Sequence, residues 1–309
     1  MSGTLLFERL RKGFAQGGRI TAASTMPRAV EGRPDDYRLA PSRLVEGTEL
    51  LTTSVGTPTP CPEPMAFLDG TQRYEVVGYF ETVPIVAALV AAAVRLRVDG
   101  QFTTIARAER RLLVTRCDVL AELGIDGTDF EPYGFDATEQ VHPLKELENA
   151  RRAVDQARGG LEQAVGVRFR NSHDDWLIVD GVISDAETWA RDPKVIGVSK
   201  SHATLPFEGA QLTRYLTLPA EHRTSVFEPA MWRFAKVHSW ALRLWPYEGH
   251  DLLHGLVRVE VAEGSRAVER ADEVSRWILA ERVPLSRPDP RWDRLLYGVA
   301  AVERHLRAQ

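Results

Sequence analysis

Two aspartates stand at the ends of short apolar segments, in a setting typical of metal ligands. Asp69 follows Met65 to Leu68, Asp180 follows Trp176 to Val179, and a glycine comes after each aspartate. A short apolar run without polar alternation predicts a strand buried on both faces. Carboxylates at the ends of two buried strands are suitable ligands for a divalent cation, which prefers oxygen. Each Asp-Gly pair by itself also fits a simple turn, but the two together favour a metal site.

A long helix is predicted between the two strands. It begins at about Pro143, since proline is favoured in the first turn of a helix, and extends to Val165. Apolar residues recur every seven positions at Leu147, Val154 and Leu161. This spacing places them in one seam, which must pack against another element.

Two glutamates on this helix compete to be a third ligand. Glu148 and Glu162 lie on nearly the same side, but they are about 20 Å apart along the axis, so only one can belong to the site. We favour Glu162, because it is near the end of the helix and close to the loop that leads into strand 176–180. A solvent-exposed glutamate is the alternative for Glu162.

Lys200 is a candidate for holding a phosphate group. It follows the predicted strand Val195 to Ser199, and a lysine there could bind phosphate as a point charge. An ordinary lysine at a strand end is the alternative. His202 could face the same way in extended chain, but we interpret it as a surface histidine.

Several arginines are possible contacts for a nucleic-acid backbone. Arg73 follows the first Asp-Gly pair, and a salt bridge to Glu75 or Glu81 is its alternative role. The segments 107–111 and 151–152 are also basic. Because acids are interleaved with them, we interpret these runs first as solvated surface.

Composition sets the broad class of the protein. The chain has 309 residues, of which 44% are hydrophobic and 27% charged, with a net charge of -4. This is enough for a large core, and it gives no overall basic signature for nucleic-acid binding. Cys61 and Cys117 have no metal-binding spacing and are expected to be reduced thiols. The longest apolar run, Val83 to Val94, is too short to span a bilayer, and the N-terminus lacks the pattern of a signal peptide. We therefore expect a cytoplasmic protein.

The order of elements predicts an α/β fold with a mixed sheet flanked by helices. Helices are predicted at 4–15, 143–165, 266–281 and 292–306, and strands at 65–69, 73–79, 85–96, 102–105, 110–115, 176–180, 195–199, 237–244 and 253–261. The alanines in 85–96 leave a helix possible there. Residues 16–64, rich in Gly, Pro, Ser and Thr, are expected to be irregular, and 118–142 a connector. We place a boundary between an N-terminal segment, 1–64, and a main domain, 65–309.

Five short motifs, taken in order, resemble the NurA nuclease family. They are Phe67-Leu68-Asp69-Gly70-Thr71, Arg158-Gly-Gly-Leu-Glu162, Leu177-Ile178-Val179-Asp180-Gly181, Val195-Ile196-Gly197-Val198-Ser199-Lys200 and Leu295-Leu296-Tyr297. The resemblance extends from about Met65 to the C-terminus. It implies a ribonuclease H-like fold, with an irregular N-terminal segment and helical additions in this chain.

The resemblance also implies roles for particular residues. Asp69, Glu162 and Asp180 would bind Mn²⁺ or Mg²⁺, and Lys200 matches the lysine that ends a strand in the family. Tyr297 matches a tyrosine of the closing helix. The sequence departs from the family pattern after it, as the arginine and histidine at 304–305 stand near the position expected for a histidine. A catalytic histidine at the C-terminus is therefore in doubt.

The function implied is that of a metal-dependent DNA nuclease. Such an enzyme hydrolyses phosphodiester bonds with the help of two metal ions held by carboxylates. In the family it acts as a homodimer with a hexameric HerA-like ATPase, in DNA end processing, repair or antiviral defence. The chain has no phosphate-binding loop of an ATPase of its own. Alternatives are a non-catalytic nucleic-acid-binding or scaffold subunit of such a complex, and a metal-dependent phosphoesterase that acts on RNA.

Overall fold

The computed structural model describes residues 3–16, 20–22, 38–124, 129–137, 142–230, 234–247, 252–264, 266–283 and 294–307. The helices in these ranges are α1 (Gly3–Gln16), α2 (Cys117–Leu123), α3 (Pro143–Arg170), α4 (Glu187–Ala190), α5 (Gly209–Leu216), α6 (Ala267–Ala280) and α7 (Tyr297–Arg307). The strands are β1 (Ile20–Ala22), β2 (Arg38–Leu39), β3 (Arg43–Leu44), β4 (Thr52–Ser54), β5 (Met65–Phe80), β6 (Val83–Val98), β7 (Gln101–Arg116), β8 (Glu131–Phe135), β9 (Trp176–Asp180), β10 (Val195–Ser199), β11 (Thr204–Leu205), β12 (His222–Thr224), β13 (Phe227–Glu228), β14 (Val237–Arg243) and β15 (Leu256–Ala262).

Most of the strands form one large mixed sheet, in the order β3-β13-β14-β15-β10-β9-β5-β6-β7-β8. The strands β5, β9 and β10 at its centre run parallel to one another, and β8 is parallel to β7. The other neighbours on this path are antiparallel. Helices cover both faces, so the predicted α/β fold with a mixed sheet flanked by helices is confirmed.

Three long strands dominate one half of the sheet. β5, β6 and β7 have 16 residues each and pair as an antiparallel meander. The predicted breaks within β5 and β7 were wrong, and so was the alternative of a helix at 85–96. The alanines of β6 are small enough for helices to pack closely on both faces of this strand.

The chain does not turn at Asp69-Gly70, contrary to the interpretation of that pair as a strand end. Gly70 continues β5 in extended conformation and pairs with Ala92. The turns fall instead at Glu81, with φ of 53°, and at Gly100, with φ of 76°. Gly181 differs from Gly70, because its φ of 143° marks a real change of direction after β9. Such backbone is accessible mainly to glycine.

Helices pack on the two faces according to the alternation of side chains along the strands. The seam of α3 packs on one face, where Leu161 joins a core cluster with Leu68 and Val179. α6 and α7 pack on the opposite face, in a cluster that contains Phe67 and Ile178. Within that cluster the backbone of Gly298 in α7 lies directly against the ring of Phe67. A Cβ at this position would be 2.4 Å from atoms of that ring. α1 covers the far end of β5–β7 on the same face.

The remaining predictions had mixed outcomes. The long helix is confirmed and extends to Arg170, and the strands 176–180 and 195–199 are confirmed. The connector 118–142 was wrong in part, because it holds α2 and β8. Short strands β1, β3 and β4 of the N-terminal segment pair with strands of the main sheet, while the boundary at residue 64 stays a prediction. No helix in the described residues is long and apolar enough to cross a membrane.

Candidate functional site

The two aspartates stand side by side at the centre of the sheet. β5 and β9 are parallel with Leu68 opposite Val179, so the next residues along the two strands are Asp69 and Asp180. Neighbouring strands are about 4.8 Å apart, and residues opposite each other point to the same face. Asp69 is only 8% exposed. The strand pairing therefore brings together two acids that are far apart in the sequence.

Glu162 reaches the same place from α3. A Cβ on Gly70 would lie 2.1 Å from Glu162 Oε1, so the glutamate occupies space that only glycine leaves open. Its competitor Glu148 is partly exposed and lies 3.8 Å from Arg152 in an ion pair on the helix surface. The structure thus brings Glu162, and not Glu148, to the aspartates.

Two cations accompany the three acids. Lys200 Nζ donates a hydrogen bond of 2.7 Å to Asp180 Oδ2. Arg158 Nη1 donates to Glu162 Oε1, and its Nε donates to Gln72 Oε1 at 3.3 Å. Asp69 accepts a bond of 2.8 Å from the N–H of Gly70. Lys200, selected from the sequence, therefore lies beside Asp180.

Burial and mutual repulsion alter the acidity of the carboxyl groups. Burial raises the pKa of Asp69 well above its ordinary value, and the charges of Asp180 and Glu162 raise it further, against the opposing effect of Lys200. Burial also raises the pKa of Glu162 to about 6, with Arg158 opposing and Asp180 reinforcing the shift. Both shifts disfavour the ionised carboxylates, chiefly because burial removes these groups from water.

The donor set suits a hard divalent cation, because the three acids offer only oxygen. Among the described residues, no group of three or more His, Cys, Asp or Glu side chains is arranged to hold a metal ion. Binding one ion with all three acids requires Asp180 and Glu162 to turn from Lys200 and Arg158.

A cleft of about 710 Å³ opens beside Gly70, and arginines dominate its walls. We call it the arginine cleft. Six arginines and two glutamates line it: Arg73, Arg107, Arg110, Arg111, Arg158, Arg307, Glu109 and Glu303. Leu6 of α1 and Leu306 of α7 also belong to its lining. It therefore lies where α1 and α7 leave the surface of the long strands uncovered.

Strand pairing connects the floor of the cleft to Asp69. Ala93 of β6 pairs with Asp69 on one side and with Arg107 on the other. Leu89, four residues away on β6 and on the same face as Ala93, pairs with Arg73 and Arg111. Paired residues share one face of a sheet, so these three arginines and Asp69 face the same side. Small side chains on β6, such as Ala91, leave open space between these arginines and Asp69.

Tyr297 does not join the carboxylates. Its ring lies 6.0 Å from that of Phe102. Phe102 of β7 pairs with Arg97 of β6, and Arg97 pairs on its other side with Met65 of β5. Met65 comes four residues before Asp69, a separation of about 13 Å along a strand. α7 runs from there towards the cleft, and its last turn contributes Leu306 and Arg307 to the lining.

The remaining candidates have clear surroundings. Arg73 pairs with Glu75 at 2.9 Å, which was its alternative role, and its guanidinium lies 5.2 Å from the centre of the Phe7 ring. The expectation of a surface position for His202 was wrong. His202 is buried, its Nε2 lies 3.0 Å from the carbonyl oxygen of Leu256, and burial lowers its pKa to about 4. The chain after Lys200 turns inward and carries this ring into the core.

Sequence reasoning gave too little weight to the arginines of β7. Arg107 and Arg111 appeared to be solvated surface because Glu109 separates them. Their spacing of four residues is that of one strand face, and it would have grouped them if 101–116 had been recognised as one strand. The pairing of Arg107 with Glu109 at 3.1 Å remains on that face.

Comparison with known proteins gives structural similarity only. No protein-family model matches the chain, and no curated protein matches its sequence. The chain is similar in structure to the NurA nuclease from Sulfolobus solfataricus, with 9% identity over 86% of this chain and 81% of that one and a TM-score of 0.45. It is also similar to endonuclease V from Streptomyces avermitilis, with 14% identity over 97% and 91% of the two chains and a TM-score of 0.34.

Proposed function

We propose that this protein is a metal-dependent nuclease that hydrolyses phosphodiester bonds of DNA. The observation that carries the proposal is the position of Asp69 beside Asp180 on the paired strands β5 and β9, with Glu162 over Gly70 and the arginine cleft next to them. Acids at one end of a basic surface suit a polyanionic substrate, since the arginines bind phosphates and the acids recruit the cation needed for hydrolysis.

Each group of residues has a distinct task in this mechanism. Asp69, Glu162 and Asp180 would hold Mn²⁺ or Mg²⁺, which when bound supplies Lewis-acid stabilisation of phosphate charge and an activated water. Lys200 holds the phosphate to be cut as a point charge after leaving Asp180. Arg73, Arg107 and Arg111 bind the sugar–phosphate backbone. The central sheet, buried between helices, keeps these groups in fixed relative positions.

The proposal extends to partners. The order of the motifs, and the absence of an ATPase motif in the sequence, support an enzyme that receives DNA from a HerA-like hexameric translocase. A homodimer would bring two arginine clefts to one substrate. Such an assembly would work in the cytoplasm, in DNA end processing, repair or antiviral defence.

The test is cleavage of labelled single- and double-stranded DNA, with Mn²⁺, Mg²⁺ or EDTA. We expect cleavage with metal and none with EDTA. Asp69→Asn and Asp180→Asn should each lower the rate by about a thousandfold or more, a loss of about 4 kcal/mol in transition-state stabilisation. Asp118→Asn is the matched control, because Asp118 is a surface acid paired with Arg116. Wild-type rates in both site variants would overturn the assignment.

A second candidate is a nucleic-acid-binding subunit without catalysis. The ion pairs of Lys200 with Asp180 and of Arg158 with Glu162 favour it, because they partly neutralise the acids without a metal. This candidate predicts DNA binding that is equal in wild type and Asp69→Asn, with no cleavage by either under any metal. An RNase activity would appear in the same assay when RNA replaces DNA.

A further inference from the structure

A second pocket lies next to the site, between the loops that follow β9 and β10. Its volume is about 340 Å³. Val182, Ser184 and Asp185 line it from the loop after Asp180, and Thr204 and Pro206 line it from the chain after Lys200. The remaining lining comes from Arg38, Ala40, Ser42, Pro229, Ala230 and Arg258. The two loops connect the pocket directly to the residues proposed to act on the phosphate.

Two guanidinium groups give the pocket its positive charge. Arg258 on β15 lies 3.1 Å from Glu260 through Nη2, while its Nε is buried without a hydrogen-bond partner among the described residues. Arg38 Nε donates to Thr204 Oγ1 at 3.2 Å. The exposed Asp185 is the one acid in the lining. A guanidinium with an N–H group that has no hydrogen-bond acceptor is suited to donate that bond to an anionic ligand.

Glu260 makes the pocket rigid from behind. It is 1% exposed, and its Oε2 accepts hydrogen bonds from the backbone N–H groups of Ile183 at 3.0 Å and Ser184 at 3.3 Å. Its other oxygen holds Arg258. One buried carboxylate thus fixes both the loop after Asp180 and the guanidinium that faces the pocket. This is the pre-organisation that lowers the entropic cost of binding.

Apart from the hydroxyl groups of Ser42, Ser184 and Thr204, the rest of the lining is apolar. Ala40, Val182, Pro206, Pro229 and Ala230 offer a wall with few hydrogen-bonding groups, and proline has no backbone N–H. Small-molecule sites combine such walls with a few convergent polar groups, in volumes of about 300–1,000 Å³. The combination suits a ligand with one anionic end and one flat, weakly polar body.

We propose that this pocket holds one nucleotide of the substrate strand, with its phosphate against Arg258 and Arg38 and its base against the apolar wall. The inference rests on the proposed nuclease function and deepens it. A nucleotide held between the loops after Asp180 and Lys200 fixes the position of the strand. The pocket therefore determines which phosphodiester bond lies at the carboxylates.

Binding can be tested without cleavage, by titrating the protein in EDTA with thymidine 5′-monophosphate, thymidine or inorganic phosphate. We expect the monophosphate to bind about tenfold or more tightly than either part alone, because a charged hydrogen bond and the apolar contact each contribute. Arg258→Gln and Arg38→Gln should each weaken it about tenfold. Arg38 is the safer variant for folding, since it is exposed and its bond is to Thr204. Arg266→Gln, at an exposed arginine paired with Glu269, is the control.

The outcomes separate this inference from the function of the site. Asp69→Asn should bind the monophosphate like wild type and fail to cut DNA. Arg38→Gln should still cut, with cleavage positions that shift relative to wild type. Equal affinity of wild type and both arginine variants for the monophosphate would overturn the pocket assignment, whatever the cleavage assay shows. Inorganic phosphate binding as tightly as the monophosphate would also overturn it.

Discussion

Two clusters of buried charge in this protein are built in opposite ways. The first, at the edge of the sheet near β12, centres on Arg223, which is 3% exposed. Its guanidinium donates to Glu46 at 2.6 and 3.0 Å, to Asp272 and to the carbonyl oxygen of Thr224 at 3.0 Å. Every nitrogen of the cation has an acceptor, and two carboxylates surround it. This cluster is closed.

The second cluster, at the centre of the sheet, is open. Three acids meet two cations, and Asp69 accepts from the Gly70 amide while Lys200 and Arg158 pair with the other two acids. Burial and repulsion raise the pKa of Asp69 and Glu162. A closed cluster is typical of a structural ion pair, whereas buried carboxyl groups with raised pKa values are typical of a ligand-binding or catalytic site.

The largest expected effect concerns the closed cluster. Arg223→Met leaves Glu46 and Asp272 without their cation, so we expect a loss of about 3–5 kcal/mol in the free energy of unfolding. Chemical denaturation measures it. Arg43→Met, at an exposed ion pair with Glu228, should change stability by less than about 1 kcal/mol. Equal losses of unfolding free energy in Arg223→Met and Arg43→Met would show that the buried cluster stabilises the fold no more than an exposed ion pair does.

The next effect concerns the space above Gly70. In Gly70→Ala the new Cβ occupies the position of the Glu162 carboxylate, so that group must move. We expect the cleavage rate to fall about 10–100-fold, as for a misplaced catalytic group, with little change in melting temperature. Gly159→Ala on α3 is the matched control, because nothing lies within 4 Å of its new Cβ. It should stabilise the helix by about 0.5–1 kcal/mol and cut normally.

A smaller effect, of opposite sign to that at Arg223, is expected at Asp69. Because its pKa is raised in the folded state, the ionised group weakens folding at neutral pH. Asp69→Asn keeps the bond from Gly70 and removes the charge, so it should raise the melting temperature in EDTA. The gain should shrink as the pH falls towards 3.8, because Asp69 itself then becomes neutral. Asp192→Asn should instead destabilise, since Asp192 pairs with Arg170 at 2.7 Å.

The smallest effect concerns the arginine cleft. Arg107→Ala and Arg111→Ala should each weaken DNA binding at low salt. Each should also reduce the slope of log affinity against log salt by about 0.9 for duplex DNA or about 0.7 for a single strand. Binding by Asp69→Asn in EDTA across salt concentrations measures these slopes without cleavage. Arg266→Ala should leave the slope unchanged, and an unchanged slope in both cleft variants would place the DNA elsewhere.

The sequence predicts best what depends on local pattern. The apolar runs before Asp69 and Asp180 and the seven-residue repeat of α3 are local, so these elements and their acids could be identified. The choice of Glu162 over Glu148 used only distance along one helix, and the structure brings Glu162 to the aspartates. The parallel pairing that places Asp69 beside Asp180 joins segments about a hundred residues apart, and no local pattern specifies such a register.

The errors have equally physical causes. Asp69-Gly70 has the composition of a turn, but continuous pairing with β6 keeps it extended, and the glycine serves to admit Glu162 instead. His202 is polar and comes two residues after Lys200, yet the chain carries it into the core beside Tyr215, with ring centres 6.3 Å apart. The pocket with Arg258 and Arg38 is lined by five separate segments of the chain. Tertiary packing determines all three.

Metal binding tests the central claim most directly, because it does not depend on knowing the substrate. Titration of Mn²⁺ into the protein can be followed by calorimetry or by the electron paramagnetic resonance spectrum of free Mn²⁺, and it should show binding to wild type. Because the pKa of Glu162 is about 6, binding should release protons near pH 6. The double variant Asp69→Asn/Asp180→Asn should bind at least about tenfold more weakly, and Asp118→Asn like wild type. Equal Mn²⁺ affinity in wild type and the double variant would contradict the account.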